Sequence, residues 1–342
     1  MKRIKAISAL FLILTLLWGC TPQSQPAPQP EGDGLTVHFI DVGQADCALL
    51  ECDGEYLLID GGNVEDSSLV VSYLQQQGVE QLQAVICSHA HEDHAGGLPG
   101  VLAVFPTEAV YAPTKTYASN CFDDFLYYTD QQGLDVTIPA PGHTLSFGGA
   151  TATVLGPVKQ YADTNNTSLV IKVTYGQTDF LFTGDMETSA ETDLLDSGAN
   201  VKADVLKVGH HGSDTSTGYR FLYEVDPDFA VISVGEGNSY GHPCEQTLSR
   251  LEDADCTLYR TDQLGHVIAF SDGQDISFTW THSSAAPDSG TPTETTYIGN
   301  TKSKKLHTPT CGSLPSEQNQ ITFDSYTDAI EAGYTPCSNC MG

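Results

Sequence analysis

Three histidines and one aspartate lie within six residues of one another, directly after an apolar stretch. His89 and His91 are spaced so that both imidazoles lie on one side of an extended turn, and Asp93 and His94 then begin the next helix. Imidazole nitrogen and carboxylate oxygen are donors that suit zinc and similar divalent cations. The glycines at 96 and 97 are expected to let the backbone turn tightly around the ions. The segment therefore predicts a metal site, with room for a second ion beside Asp93 and His94.

A second set of potential ligands lies near the carboxyl end of the chain. His307 and Cys311 form a His-x3-Cys pair, and Cys337 and Cys340 form a Cys-x2-Cys pair after 25 intervening residues. Two such pairs of soft donors are typical of a structural zinc site. A zinc ion would stabilise residues 296–342, a segment too short to hold its own core. A disulfide between Cys337 and Cys340 is the alternative.

Short apolar stretches separated by turn signals must position these ligands. The first half of the chain predicts strands at 36–40, 47–50, 56–59 and 84–87, with a helix over 67–77. The second half predicts strands at 168–173, 180–182, 205–208, 229–234, 267–270 and 275–280, with helices at 187–196 and 245–252. Strands followed by single helices, in two similar halves, favour an α/β (α+β) protein built as a four-layer αββα sandwich. This domain is predicted to span 35–281, followed by a linker at 282–295 and a small Cys/His module at 296–342.

The chain is strongly acidic, since 44 Asp and Glu residues against 14 Lys and Arg residues give a formal net charge of −30. A protein that binds nucleic acid usually carries a basic excess, so the overall field opposes such a partner. Acidity of this kind is typical of a solubility trait in an exported protein. Alternatively, bound cations invert the sign of the field where a phosphate group must lie.

The first twenty residues have the pattern of an export signal. Lys2, Arg3 and Lys5 precede an apolar stretch at 6–18, which is short for a membrane span and is soon followed by Cys20. The end of this stretch resembles a bacterial lipobox. Residues 1–20 are thus predicted to be a lipoprotein signal peptide, with Cys20 as the lipid anchor and 21–34 as a flexible stalk. Simple secretion is the alternative; in both cases we expect an extracellular protein, anchored to the bacterial cell membrane or released.

Seven blocks of sequence, in a fixed order, carry a family resemblance. The blocks are 39–46 (FIDVGQAD), 58–62 (LIDGG), 88–97 (SHAHEDHAGG), 165–170 (NNTSLV), 181–185 (LFTGD), 206–213 (LKVGHHGS) and 240–243 (YGHP). With them, the span from about 35 to 280 resembles the metallo-β-lactamase superfamily, and within it the hydrolase domain of the ComEC/Rec2 competence proteins. The resemblance implies the αββα fold, a hydrolase activity and two divalent metal ions, zinc or manganese.

The resemblance also implies a ligand set. His89 and His91 would bind one ion, and Asp93 and His94 would bind the other. Asp185 would bridge the two ions, because a carboxylate has two oxygens to share.

The remaining ligand comes from the pair His210 and His211. We favour His211 as the ligand that completes the second ion and His210 as a group facing the substrate, although the sequence leaves the two open. Asp60 matches an acidic motif of the superfamily and is expected to orient the ligand loop by hydrogen bonds rather than to bind metal. The predicted catalytic residues are Asp93, Asp185 and His210.

Four further residues are predicted to contact the substrate. Many superfamily members place another histidine about twenty residues before the bridging aspartate, where this chain and the competence proteins have Asn165 and Asn166. One ion would then keep a more open coordination position for a phosphate oxygen. Lys207 is a candidate for stabilising the charged intermediate, and His242 either contacts substrate or supports its turn.

The residues themselves predict hydrolysis by a metal-activated hydroxide, whereas the substrate class follows from the resemblance. Competence-type domains are linked to DNA degradation, and a related branch cleaves phosphorylcholine from teichoic acids. The first hypothesis is therefore a phosphodiesterase or DNase that acts on DNA as a monomer. The alternatives are a teichoic-acid phosphorylcholine esterase, another hydrolase of this fold (lactonase, thioesterase or β-lactamase), and a non-catalytic surface lipoprotein that binds DNA.

The C-terminal segment carries a resemblance of its own. Besides its four potential ligands, the stretches 297–300 and 332–334 are similar to the small zinc-binding domain of the Ada repair protein. Lysines at 302, 304 and 305 form a local basic cluster in an otherwise acidic chain. This cluster indicates contact with DNA.

Overall fold

The computed structural model describes residues 33–282, 286–289 and 296–341. The predicted signal peptide, the anchor Cys20 and most of the predicted stalk and linker lie outside these ranges. Within the described ranges, no helix has both the length and the apolar character needed to cross a membrane.

The first of two large sheets has eight strands and contains both the first and the last strand of the predicted domain at 35–281. Its strands lie in the order β15-β14-β1-β2-β3-β4-β5-β6, with β3, β4, β5 and β6 mutually parallel and the others antiparallel. The strands are β1 Leu35–Phe39, β2 Ala48–Cys52, β3 Glu55–Ile59, β4 Leu82–Ile86, β5 Thr107–Tyr111, β6 Val136–Thr137, β14 Val267–Ser271 and β15 Ile276–Trp280.

The second sheet also has eight strands, in the order β16-β13-β12-β11-β10-β9-β8-β7. The neighbours β10, β11, β12 and β13 are parallel, so their carboxyl ends lie at one edge. The strands are β7 Thr144–Phe147, β8 Ala150–Gly156, β9 Val170–Tyr175, β10 Thr178–Phe182, β11 Val205–Lys207, β12 Phe229–Ile232, β13 Thr257–Arg260 and β16 Asp288–Ser289.

The main core lies between the two sheets. Successive side chains of a strand point to opposite faces, so Leu35, Val37 and Phe39 of β1 enter this core. His38 points the other way, and its ring lies edge-on to Tyr73 in the helical layer. The predicted four-layer sandwich is confirmed, with a helical layer outside each sheet.

Nine α-helices occur within the described residues. Along the chain, the first four helices pack on the outside of the first sheet and the next three on the outside of the second sheet. The eighth places Leu264 in the core between the sheets, and the last belongs to the C-terminal module. The helices are α1 Ser67–Gln76, α2 Glu92–Ala95, α3 Leu98–Val104, α4 Asn120–Gln131, α5 Thr188–Asp196, α6 Tyr219–Val225, α7 Glu245–Asp253, α8 Thr261–Leu264 and α9 Tyr326–Glu331.

The C-terminal module has its own four-stranded sheet, in the order β19-β17-β18-β20. Its apolar cluster includes Tyr219 of α6, whose ring stacks on Tyr326 at 5.0 Å and lies edge-on to Tyr297 at 5.9 Å. The module therefore completes its core with a side chain of the large domain. The predicted linker also contributes β16, which pairs with β13. The strands are β17 Tyr297–Asn300, β18 Lys305–His307, β19 Gln320–Phe323 and β20 Thr335–Pro336.

Candidate metal centre

The histidine and aspartate clusters meet where strands of both sheets end. The segment after β4 carries His89 to His94, the segment after β10 carries Asp185, and the turn after β11 carries His210 and His211. The Leu169 amide donates to the Ser88 carbonyl at 2.8 Å and joins the two halves of the domain beside the site. Residues that are far apart in the sequence thus converge on one edge of the sandwich.

The first group of potential ligands consists of Asp93, His94, Asp185 and His211, whose donor atoms lie within 4.8 Å of one another. His94 Nε2 is 3.2 Å from Asp185 Oδ1 and 3.9 Å from Asp93 Oδ2. His211 Nε2 is 3.2 Å from Asp93 Oδ2 and 3.8 Å from Asp185 Oδ1. Two imidazoles and two carboxylates therefore face one small volume.

The second group lies on the other side of Asp185. His89 Nε2 is 3.1 Å from His91 Nδ1 and 3.8 Å from Asp185 Oδ2. His210 Nε2 is 3.6 Å from the same carboxylate oxygen. Asp185 consequently presents one oxygen to each group of imidazoles.

The turn that carries His210 and His211 has an unusual backbone. Both residues adopt left-handed conformations, with φ of 51° and 53°, which are uncommon for residues other than glycine. His211 is buried in the first group, while His210 is partly exposed and lines the cleft. Backbone strain of this kind is often kept at functional sites, and here it directs two adjacent rings to different places.

The donor set fits a divalent cation. His94 Nε2 and Asp185 Oδ1 are buried, and neither has a hydrogen-bond partner within the described residues. The two atoms are 3.2 Å apart, an ion-pair distance without the geometry of a hydrogen bond. Buried polar atoms are normally hydrogen-bonded, and a cation bound to both atoms would supply the partner that each lacks. The imidazole and carboxylate donors suit zinc or manganese.

The side chain of Asp60 fixes the ligand loop through two contacts. Its Oδ1 accepts the Ser88 amide at 2.7 Å, and its Oδ2 lies 2.8 Å from His94 Nδ1. Because Nδ1 of His94 faces this carboxylate, Nε2 is the nitrogen that faces Asp185. Asp60 itself is buried and stands outside the group of four donors, in the position of a residue that orients a ligand.

Asp46 is a site residue that its sequence pattern does not single out. Its Oδ1 lies 3.2 Å from His211 Nδ1, which is also 3.0 Å from the Ser233 carbonyl. Lys207, predicted to contact substrate, is instead buried, with Nζ 2.8 Å from Asp46 Oδ2 and a hydrogen bond to the Val208 carbonyl. That prediction is corrected, since Lys207 neutralises Asp46 beneath His211 and does not line the cleft.

Charge interactions shift the pKa values of the site strongly. Burial alone would lower the pKa of His211, but the Asp185 and Asp46 carboxylates outweigh it and raise the pKa to about 10. Burial likewise opposes, but Asp185, Asp60 and Asp93 nevertheless raise, the pKa of His94 well above its ordinary value. Protons on these imidazoles balance the carboxylates, so binding of a cation must displace them. Metal affinity should consequently rise with pH.

Two of these residues keep the form in which they bind a metal. Burial, with the neighbouring His94, lowers the pKa of His89 well below its ordinary value and keeps the ring neutral. Burial would raise the pKa of Asp93, but His94 and His211 lower it to about 2. Neutral imidazole and ionised carboxylate are the ligand forms.

The two predicted asparagines occupy different environments. Asn165 lines the cleft, and its Oδ1 is buried without a hydrogen-bond partner among the described residues. Asn166 is buried, and its Oδ1 accepts the Glu187 amide at 3.1 Å. Glu187 in turn lies 3.8 Å from His210 Nδ1. Asn166 therefore supports the His210 side of the site, and its predicted contact with substrate is corrected.

The glycines at 96 and 97 act by size rather than by turning the chain. Their φ values of −62° and −84° are ordinary, contrary to the predicted tight turn. A Cβ on Gly97 would lie 2.0 Å from the Gly61 carbonyl oxygen, and one on Gly96 would lie 2.4 Å from the Val64 amide. The glycines thus let the ligand helix pack directly on the backbone after β3.

The site opens into a large cleft of about 1240 Å³. Its lining includes the carboxylates of Asp41, Glu65, Asp66 and Glu92, and no lysine or arginine from the described ranges lines it. His242 also lines it, with its ring 5.5 Å from that of His210 and its Nδ1 3.4 Å from Gln44 Nε2. His242 thus lies where it can contact a substrate.

The four predicted zinc ligands of the module come together. His307, Cys311, Cys337 and Cys340 place their donor atoms within 4.8 Å of one another, and His307 Nδ1 is 3.3 Å from Cys311 Sγ. Cys337 and Cys340 are free rather than joined as a disulfide. Three thiols and one imidazole fit a structural zinc ion.

Taken together, an αββα sandwich with imidazoles and carboxylates at one edge defines a class of metal-binding proteins. The sequence profile described as "Metallo-beta-lactamase superfamily" matches residues 40–236. The chain therefore belongs to the metallo-β-lactamase superfamily, whose members are mostly hydrolases that bind divalent metal ions.

Within this superfamily, the chain is similar to competence proteins. It is 32% identical over 262 residues to ComE operon protein 3 of Bacillus subtilis, covering 71% of this chain and 33% of that protein. It is 31% identical over 246 residues to competence protein ComA of Neisseria gonorrhoeae, covering 70% and 33%. The chain thus spans about a third of the length of these relatives. The solved structure of YhfI from Bacillus subtilis matches 72% of this chain and 100% of its own, at 14% identity and a TM-score of 0.48.

Proposed function

We propose that this protein is a phosphodiesterase that hydrolyses DNA with two divalent cations, zinc or manganese, held on either side of Asp185. The observation that carries the proposal is the orientation of this carboxylate. Its Oδ1 faces His94 and His211, and its Oδ2 faces His89 and His210. A carboxylate that serves two sets of donors suits a pair of cations better than a single one.

When bound, such a pair supplies Lewis acidity that acidifies water and polarises the bond to be broken. The side chains of the protein do the rest. Asp93 is partly exposed at the floor of the cleft, and with Asp185 it orients the attacking water. His210 presents Nε2 to the cleft and stabilises the charge that develops on the phosphate group.

The choice of a phosphodiester is supported by two observations. The cleft is open and large, which suits a polymer better than a small lactam. The similar proteins of Bacillus and Neisseria bear names that refer to competence, and this chain is proposed to share a DNA substrate with that group. The superfamily's other hydrolytic reactions are the competing outcomes.

The test is a panel of substrates offered to the purified full chain loaded with Mn²⁺ or Zn²⁺. The substrates are single-stranded DNA, a phosphorylcholine ester, a lactone, a thioester and nitrocefin. Each substrate is offered to the wild-type protein and to the Asp185→Asn variant, which is the control. We expect the wild-type protein to cleave DNA and the variant to be slower by about 100- to 1000-fold, with an unchanged thermal unfolding profile in the presence of chelator. If the wild-type protein hydrolysed only nitrocefin or only the lactone, the protein would be a β-lactamase or a lactonase and the proposal would be wrong. No turnover by the wild-type protein would favour a surface receptor.

The C-terminal module is proposed to contact DNA through its lysines. Lys302 is exposed, Lys304 lies 4.2 Å from the centre of the Tyr334 ring, and Lys305 donates to the Pro336 carbonyl. Lys302→Ala should weaken DNA binding and reduce its salt dependence by about one phosphate contact. Lys115→Ala, which changes an exposed lysine of the large domain, is the matched control. Equal affinities of the two variants would contradict the role of the module.

The location is proposed from the sequence of the first twenty residues. The protein would be held at the extracellular face of the cell membrane by a lipid on Cys20. Wild-type protein should partition into the detergent phase of a Triton X-114 extract of the cells, and Cys20→Ser should move to the aqueous phase or the medium. Aqueous behaviour of both forms would favour simple secretion.

A further inference from the structure

Tyr240 stands at the rim of the cleft with little to cover it. Its side chain is 73% exposed, the highest exposure of any large apolar side chain in the described part of the chain. It lines the same cleft as Asp185 and His210. An aromatic ring left in water beside a predicted catalytic centre is a candidate for contact with a ligand.

The loop that carries Tyr240 is fixed by contacts that do not involve the ring. Asn238 Oδ1 accepts the amides of Tyr240 and His242, both at 3.1 Å. Asn238 Nδ2 donates to the carbonyls of Gly235 at 3.0 Å and His242 at 2.6 Å. The ring is thus presented by a preorganised loop, and ordering it on binding costs little free energy.

A row of aromatic rings connects Tyr240 to the metal centre. The Tyr240 ring stacks on His242, with centres 5.8 Å apart and planes 26° apart. His242 lies edge-on to His210 at 5.5 Å, and His210 Nε2 is 3.6 Å from Asp185 Oδ2. A strand bound at Asp185 could therefore extend along the two histidine rings to Tyr240, which lines the same cleft.

The charge of the cleft limits how a polyanion can be held there. No lysine or arginine lines it among the described residues, and Asp41, Glu65, Asp66 and Glu92 do. Inside the cleft, the phosphates that flank the reacting one therefore meet no lysine or arginine side chain. Stacking of a neutral base on an aromatic ring supplies affinity without charge, and it tolerates any base.

We propose that Tyr240 is a specificity-determining residue whose ring stacks on a nucleobase of the strand that carries the phosphodiester to be cleaved. This inference rests on the proposed function. Such stacking would favour nucleic acid as substrate over a polymer of alditol phosphates, which has phosphodiester bonds but no aromatic base.

The experiment compares Tyr240→Ala with Tyr240→Phe, which keeps the ring. The substrates are a thymidine oligonucleotide and an abasic oligonucleotide of the same length, with the Mn²⁺-loaded full chain. We expect Tyr240→Ala to lower the ratio of kcat/KM between the two substrates by about 5- to 100-fold, mainly through KM. Tyr240→Phe should keep most of the wild-type ratio. Tyr127→Ala, which removes an exposed tyrosine on α4, is the matched control and should leave both rates unchanged.

The outcomes separate this inference from the proposed function. If wild-type protein cleaves DNA but Tyr240→Ala leaves the ratio unchanged, Tyr240 does not read the base, although the phosphodiesterase stands. If no form cleaves either oligonucleotide, the proposed function fails, and binding of the labelled oligonucleotides by fluorescence anisotropy decides the role of Tyr240. Equal affinity of wild type and Tyr240→Ala for the thymidine oligonucleotide would then overturn the inference, and a selective loss would support it.

Discussion

Asp60→Asn is the substitution that tests most directly how the ligand loop is held. Asparagine has the same shape as aspartate and tolerates the left-handed backbone, which Asp60 adopts with φ of 60°. The amide of Asp60 also keeps its hydrogen bond to the Ile86 carbonyl. The variant should therefore fold, and its effect should be confined to the hydrogen bonds of the side chain.

The expected magnitude follows from those hydrogen bonds. Both oxygens of Asp60 accept, one from the Ser88 amide at 2.7 Å and one from His94 Nδ1 at 2.8 Å. The asparagine side chain has only one acceptor oxygen, so its NH2 group would face His94 Nδ1. That nitrogen must carry a proton when His94 Nε2 binds metal, and two donors would then face each other. Loss of such a partner typically lowers metal affinity by 10- to 100-fold, or about 1.4 to 2.8 kcal/mol. Ser88 Oγ, 3.2 Å from His94 Nδ1, can accept in its place, so the larger loss is expected with Ser88→Ala added.

The assay is a competition between the protein and a chromogenic chelator for Zn²⁺ at constant pH. Asp135→Asn, which changes an 89%-exposed aspartate that does not line the cleft, is the control and should bind as the wild type does. Thermal unfolding with and without metal separates lost affinity from lost stability. If Asp60→Asn with Ser88→Ala added bound Zn²⁺ as tightly as Ser88→Ala alone, the assignment of Asp60 as the residue that orients His94 would be wrong.

Three further predictions concern packing, the module and pH. Gly97→Ala would force a Cβ against the Gly61 carbonyl oxygen and should lower the free energy of unfolding by about 3 kcal/mol, measured in urea; an unchanged midpoint would refute the close packing. Cys337→Ser should remove one zinc ion by elemental analysis and expose the module to proteases; if metal content stayed the same, the four donors would not form a zinc site. Burial raises the pKa of Glu191 from 4.5 to about 7, so its contribution to stability is fully present below pH 4.5 and is lost as pH rises toward 7. In Glu191→Gln, the free energy of unfolding should fall less steeply with pH between about 4.5 and 7 than in the wild type. Equal slopes of the free energy of unfolding against pH in the two proteins would contradict this prediction.

The sequence predicts those strands and ligands whose pattern is visible within a short stretch of residues. The period-two pattern of β1 and the apolar stretch of β4 identified strands of the sandwich, and the ligands at 89–94 stand together in the chain. Elements between 98 and 156 were not predicted. β6 has only two residues and β7 is largely exposed on its outer side, so neither carries a clear pattern. α4 did carry a signal, because Phe122, Phe125 and Thr129 are buried at helical spacing.

The parts of the site that were missed depend on contacts across the sandwich. Asp46 and Lys207 are 161 positions apart in the sequence, and only the folded chain shows that they neutralise one another. A lysine beside a histidine pair looks like a substrate contact until its burial is known. Tyr240 is the reverse case, since its block was recognised but its exposure at the cleft cannot be read from sequence. Long-range pairing and exposure are properties of packing, which local patterns do not encode.

The acidity of the chain and a phosphodiester substrate are compatible only through the metal centre. At physiological ionic strength, charges more than about 8 Å apart are largely screened, so the net charge of −30 matters less to a bound phosphate than the groups within the cleft. Those groups are acidic, and Asp93 and Asp185 stay ionised because the neighbouring imidazoles lower their pKa values. Two divalent cations would outweigh these two carboxylates and leave a local positive field for one phosphate. A cleft organised in this way attracts the phosphate to be cleaved and must hold the flanking nucleotides inside it by uncharged contacts, the role that we assign to the ring of Tyr240.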